Sequence, residues 1–106
     1  MVFFEQILLL HRQVKVTFDN ARAFINAEKP DSAENSLFCI ASILQELEDY
    51  ELNKEYTKLF NEISELRVIL RKKEIKRLEA EAKRRAEEKE RKRERERLRK
   101  QREEEE

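Results

Sequence analysis

The chain has no glycine and no tryptophan, one proline (Pro30) and one cysteine (Cys39). Lacking glycine, it has few residues suited to the positive-φ positions of tight hairpins, which argues against strands joined by short turns and leaves helices. The same absence excludes the glycine-rich loops that cradle phosphates in P-loop and dinucleotide sites. A single cysteine cannot form an intrachain disulfide. A small secreted domain would normally carry several, so a reducing, intracellular setting is expected, cytoplasmic with the nucleus open.

Long apolar runs are missing too. Ile7 to Leu10 is far shorter than the roughly 20 residues needed to span a bilayer. The apolar start Val2-Phe3-Phe4 is broken by Glu5 and Gln6 and has no basic residue before it, so no signal peptide and no membrane association are expected.

What is present is divided unevenly. Of the first 70 residues 35 are apolar, against 6 of the last 36: Ile75, Leu78, Ala80, Ala82, Ala86 and Leu98. The formal net charge of zero is likewise a sum of opposites, with 7 basic and 12 acidic side chains in residues 1–70 and 17 and 12 in residues 71–106. The expected organisation is therefore a helical bundle or interaction domain over 1–70 and a charged single α-helix over 71–106. A core drawn from about 70 residues is small, which makes self-association or a protein partner a reasonable expectation.

Phe4, Ile7, His11, Val14, Phe18, Ala21 and Ile25 alternate steps of three and four, the spacing of one helical face, over a first helix of about residues 3–28. Pro30 ends it by removing an amide donor and restricting Lys29. Asp31 followed by Glu34 has the spacing of a capping box for a second helix. Its inward positions are Ala33, Leu37, Ile40, Leu44 and Leu47, with Phe38, Ala41 and Ile43 beside them.

A third series reads Leu52, Tyr56, Leu59, Ile63, Leu66 and Leu70. The five-residue step from Leu47 to Leu52 breaks the phase, so a short interruption is placed near 49–53 with Asn53 as N-cap. The fold class is all-α: a small three-helix bundle, or alternatively a helical hairpin, with a long, highly charged C-terminal helix extending from it.

Past Leu70 the residues are strong helix formers with no breaker. Glutamate-first pairs occur at i, i+4: Glu79 with Lys83, Glu81 with Arg85, Glu87 with Arg91, Glu88 with Lys92 and Glu96 with Lys100. Such pairs support an isolated helix by a few tenths of a kcal/mol each. The segment resembles the stable single α-helices rich in Glu, Arg and Lys that serve as spacers, a likeness that implies a rod and no particular activity. Fraying is expected over Glu103 to Glu106, because acids at a helix C-terminus oppose the macrodipole.

Extending the heptad phase of Leu59, Ile63, Leu66 and Leu70 gives Lys73, Arg77, Ala80, Arg84, Glu87, Arg91, Glu94 and Leu98. That register would set like charges together in a parallel pair, which argues against a tail coiled coil. Lys73, Arg77, Arg84, Arg91, Arg95, Arg99 and Arg102 share a sector of about 80°, interrupted by Glu81 and Glu88. A basic stripe of this kind could contact a polyanion through phosphate neutralisation. Its bland alternative is the solvated face of a single helix.

His11 stands in the apolar stripe of the first helix and Cys39 between Phe38 and Ile40, where a small apolar side chain would fit. One histidine and one cysteine without metal-ligand spacing argue against a metal site. The carboxylates lie along polar helix faces, without a cleft to separate their pKa values. No enzyme, cofactor, metal or small-molecule substrate is expected. The series Ala21, Ala23, Phe24, Ala27, Pro30 resembles the close of a tetratricopeptide unit, but Pro30 follows Ala27 too soon and no second copy appears at the family's period.

Helix 1 carries more apolar surface than one stripe requires. Phe3, Phe4, Leu8, Leu9, Val16 and Phe24 are the candidate protein-interaction residues, with a thicker monomer core as the plain alternative. The functional expectation is a non-enzymatic interaction or scaffold subunit with the charged helix as spacer or lateral contact. The alternative is a nucleic-acid- or ribosome-associated protein using the basic segment 83–102.

Overall fold

A computed structural model describes residues 2–105. Its elements in order are α1 (Val2–Asn26), α2 (Pro30–Phe38), α3 (Ala41–Leu47) and α4 (Tyr50–Glu105). The chain divides into two units, Met1–Leu70 and Arg71–Glu106.

In the first unit the three apolar stripes meet as the spacing requires. Val14, Phe18 and Ala21 from α1, Ala33 and Leu37 from α2, Ile40 beside α3, Leu44 from α3, and Leu52, Leu59 and Ile63 from α4 are buried together. Each fully buried aliphatic side chain in such a core is worth roughly 1.5–3 kcal/mol over its exposed state. Phe24, Ile25, Ile43, Leu47, Tyr56 and Phe60 pack partly buried around them. The Tyr56 ring lies 4.9 Å from that of Phe60, and burial pushes its phenol pKa up. Ala21 and Ala33 are fully buried, and their small side chains suit the close approach of α1 to α2.

The second helix is not continuous. It breaks at Cys39 and Ile40, where the Ile40 amide turns to the Leu37 carbonyl at 3.2 Å, so the expected three helices become four. Just before the break the Ser36 hydroxyl donates to the Ser32 carbonyl at 3.0 Å, a back-bond of the kind that bends helices. Cys39 and Phe38 lie off the inward face of Ala33, Leu37 and Ile40: both are exposed, not packed inside, and Phe38 rests on the Phe60 ring at 5.6 Å.

Both predicted caps are corrected. Asp31 and Glu34 do not form a capping box. Lys29 is the N-cap of α2 without a side-chain bond, Pro30 opens the helix, and the Asp31 and Glu34 carboxylates turn instead to Arg67 of α4. Arg67 to Asp31 spans 3.0 Å. The break before α4 falls at Glu48 and Asp49, and Asp49 caps α4 by accepting from the Leu52 amide at 3.1 Å. Asn53 donates its side-chain amide to the Asp49 carbonyl instead of capping.

Two cross-helix ties mark the levels at which the helices meet within this unit. Arg22, late in α1, pairs with Glu55 in the second turn of α4, and that carboxylate raises the guanidinium pKa chiefly by accepting its hydrogen bond. Arg67 reaches back to the first turn of α2. Within residues 50–70, α4 therefore runs parallel to α1 and opposite to α2 and α3, starting beside Lys15 and Phe18, where Leu52 lines the same groove.

In the second unit, residues 71–105 are helical throughout and nearly all exposed. At about 1.5 Å per residue this stretch is roughly 50 Å long. Glu103 to Glu105 stay helical where fraying was expected, with Arg102 in the last turn to offset their charge, and Glu106 lies outside the described residues.

Candidate protein-interaction surface on α1

Because α4 begins beside Phe18, it offers nothing to cover the first two turns of α1. Phe3 and Ile7 are in phase with the core stripe beyond its partners, whereas Phe4, expected to open that stripe, is 65% exposed and turned off it. Ile7, Leu10 and His11 are half-buried. Leu8, Lys15 and Arg22 share a row at steps of seven, with Phe4 one turn before Leu8. Lower in the bundle this row meets α4, and higher up it meets solvent. Glu5, Leu9, Arg12 and Val16 occupy an outward face, within about 60° on a helical wheel.

The exposures decide which candidates belong to the surface. Phe3 is 74% exposed, Phe4 65%, Leu9 62%, Val16 58% and Leu8 49%. Phe24 is the exception: it is half-buried and packed on the core, so it leaves the set. The thicker core considered as the alternative for this apolar excess accounts for Phe24 alone.

A second uncharged face escaped the sequence reading. Tyr50, Asn53, Thr57, Asn61, Ser64 and Val68 are all exposed along α4, on the side away from its buried residues. Their steps of three and four among lysines and glutamates were the available signal, hidden because a stripe of mostly polar residues does not register as apolar periodicity.

In the second unit the candidate polyanion residues Arg77, Arg84, Arg91, Arg95, Arg99 and Arg102 are all exposed. Arg77 is already engaged, donating to Glu74 at 2.6 Å and lying 3.7 Å from Glu81. Hydrogen bonding from Arg77 holds the Glu74 carboxyl pKa below its usual value. Among the described residues none of the five glutamate-first pairs at i, i+4 is closed within 4.0 Å. Exposed long side chains gain little from holding one geometry, so backbone bonding and propensity carry this helix. Ile75, Leu78, Ala82 and Ala86 lie within a separate sector of about 80°, a short apolar seam outside the heptad phase tested above.

Among the described residues no group of His, Cys, Asp and Glu could hold a metal ion, and no helix is long and apolar enough to cross a membrane. No protein family, curated protein or solved structure matches the chain.

Proposed function

We propose that this chain is a non-enzymatic interaction or scaffold subunit that docks through the apolar N-terminal part of α1, with the helix of residues 71–105 serving as a stiff charged spacer or lateral contact. The observation that carries this reading is the exposure of Phe3, Phe4, Leu8 and Leu9 in the first turns of a helix whose later turns bury Val14, Phe18 and Ala21. Large apolar side chains grouped on a surface are characteristic of association sites, whereas scattered single ones are ordinary. The other reading, phosphate contact by residues 83–102, draws less support. Arg77 in the same sector is already paired with two glutamates, and five acids stand among the segment's basic residues.

In-cell cross-linking of the chain, with every cross-linked product counted including other copies of itself, tests the reading. The products persist when residues 78–106 are deleted and disappear with Leu9→Glu. Persistence with Leu9→Glu and loss on tail deletion would move the interface to the tail and overturn the proposal. Cross-linking to RNA that depends on the tail and weakens steeply with salt would favour the alternative.

A further inference from the structure

Resting on that reading, we infer that the partner of this surface is a second copy of the chain: two α1 helices cross antiparallel about a two-fold axis at Leu8 and Leu9, with Glu5 of each copy facing Arg12 of the partner subunit. A closed two-fold contact requires a patch complementary to itself, in which residue i meets j and j meets i.

The first turns of α1 meet that requirement in their charge. From Phe3 to Val14 the only acid is Glu5 and the only Lys or Arg is Arg12. They stand symmetrically about the Leu8-Leu9 pair, Glu5 three residues before Leu8 and Arg12 three after Leu9. Reversing the helix therefore exchanges acid for base, and an antiparallel crossing at the leucines brings both opposite-charge pairs together. A parallel crossing would set Glu5 against Glu5 and Arg12 against Arg12, so the charges select the orientation.

The area agrees with a dimer. At the exposures observed, Phe4, Leu8, Leu9 and Val16 leave about 400 Å² of apolar side chain open per copy on the side of Glu5 and Arg12, hence about 800 Å² for a pair. The two exposed charged side chains bring this to the roughly 1,000 Å² at which specific interfaces begin, while Phe3, in phase with the core stripe, lies outside the contact. Glu5 and Arg12 are exposed, so they are available to cross the axis. Leu9 and Val16 flank them on the outward face and would be covered in the same contact.

Light scattering on the full chain, at up to about 100 μM, above the micromolar range suited to a contact of this size, is the test. The expected mass is twice 12.9 kDa. Leu9→Glu is expected to give the single-chain mass with an unchanged circular dichroism spectrum, since the residue is exposed. Glu5→Arg and Arg12→Glu should each weaken the dimer about tenfold or more, and the combined variant should restore it. A wild-type monomer across this range overturns the second-copy assignment. The docking surface then stands if Leu9→Glu still abolishes cross-linking to a different protein, and falls if it does not. A dimer that survives Leu9→Glu, or a combined variant as weak as the single ones, also overturns the proposed crossing.

Discussion

The backbone amide of Lys29 donates to the Phe24 carbonyl at 2.8 Å, closing the end of α1 around Glu28. With the Glu28 amide bonded to the Ile25 carbonyl at 3.0 Å, this is the pattern of a Schellman cap, whose central position is left-handed and usually glycine. Glu28 sits there at φ 59°, and Glu48, at the end of α3, is also left-handed at φ 50°, its amide bonded to the Leu44 carbonyl. Among the described residues, a chain without glycine thus makes two left-handed turns, at the expense of a Cβ clash at each.

Glu28→Gly and Glu48→Gly should therefore stabilise the fold. Relief of the left-handed clash, about 1–2 kcal/mol, exceeds the added unfolded-state entropy of about 0.4–1 kcal/mol. A net gain of about 0.5–1 kcal/mol is expected at Glu48 in urea unfolding and a smaller one at Glu28, whose side chain also has an interaction to lose, the two nearly additive in the double variant. A loss of stability in either variant would mean that the glutamate side chain supports its turn by more than the backbone strain it imposes.

The buried stripes were legible because each occupies a single helical phase: Val14, Phe18 and Ala21, then Ala33 and Leu37, then Leu59 and Ile63. The break at Cys39 and Ile40 was not, since no proline or glycine marks it and the Ser36 back-bond is only one option for a serine. Asp31 and Glu34 have capping-box spacing, but a distant arginine, Arg67, claims both carboxylates. No local pattern encodes that competition. The interaction candidates were legible as excess apolar residues, yet which of them face solvent depends on where α4 starts along α1. That level is set by packing of the buried stripes, with the pair from Arg22 to Glu55 formed where it falls. Phe24 fell on the wrong side of it.

Leu59→Ala should remove most of the first unit's stability. Leu59 is 1% exposed, and truncating a leucine in such a setting lowers stability by about 2–5 kcal/mol, comparable to the roughly 3–5 kcal/mol available to a core of this size. Far-UV circular dichroism would understate the loss, because the helix from Arg71 onward has no buried residue to lose. Amide exchange resolved along the sequence is the suitable measurement. Protection should collapse across residues 14–63 and stay as it was beyond residue 71. Retained protection around Val14 and Leu37 would show that the core repacks into the space.

The tie between Arg22 and Glu55 should couple weakly. Arg22 is exposed enough for solvent to screen the pair, so a double-mutant cycle with Arg22→Gln and Glu55→Gln is expected to give a coupling below about 1 kcal/mol. It should shrink further as salt shortens the screening length. A coupling that is large and indifferent to salt would mean the pair is effectively desolvated, with Glu55 held in place by its neighbours.

Glu74 supplies the pH dependence that can be signed. Its folded pKa is lowered, first by the hydrogen bond from Arg77 and then by that residue's charge. A depressed carboxyl pKa stabilises the helix fully above the unfolded carboxylate value, about 4.3, and that contribution disappears as pH falls through the folded value. Carboxyl carbon shifts followed by NMR should show Glu74 titrating below the ordinary glutamate range in the intact chain, and Arg77→Gln should return it toward that range. Glu81→Gln should move it little, since Glu81 acts on Glu74 only by sharing Arg77, at 3.7 Å. If Arg77→Gln leaves the Glu74 titration unchanged, the pairing is not held in solution. The basic sector would then keep Arg77 free for a polyanion, which strengthens the alternative function at the expense of the spacer reading.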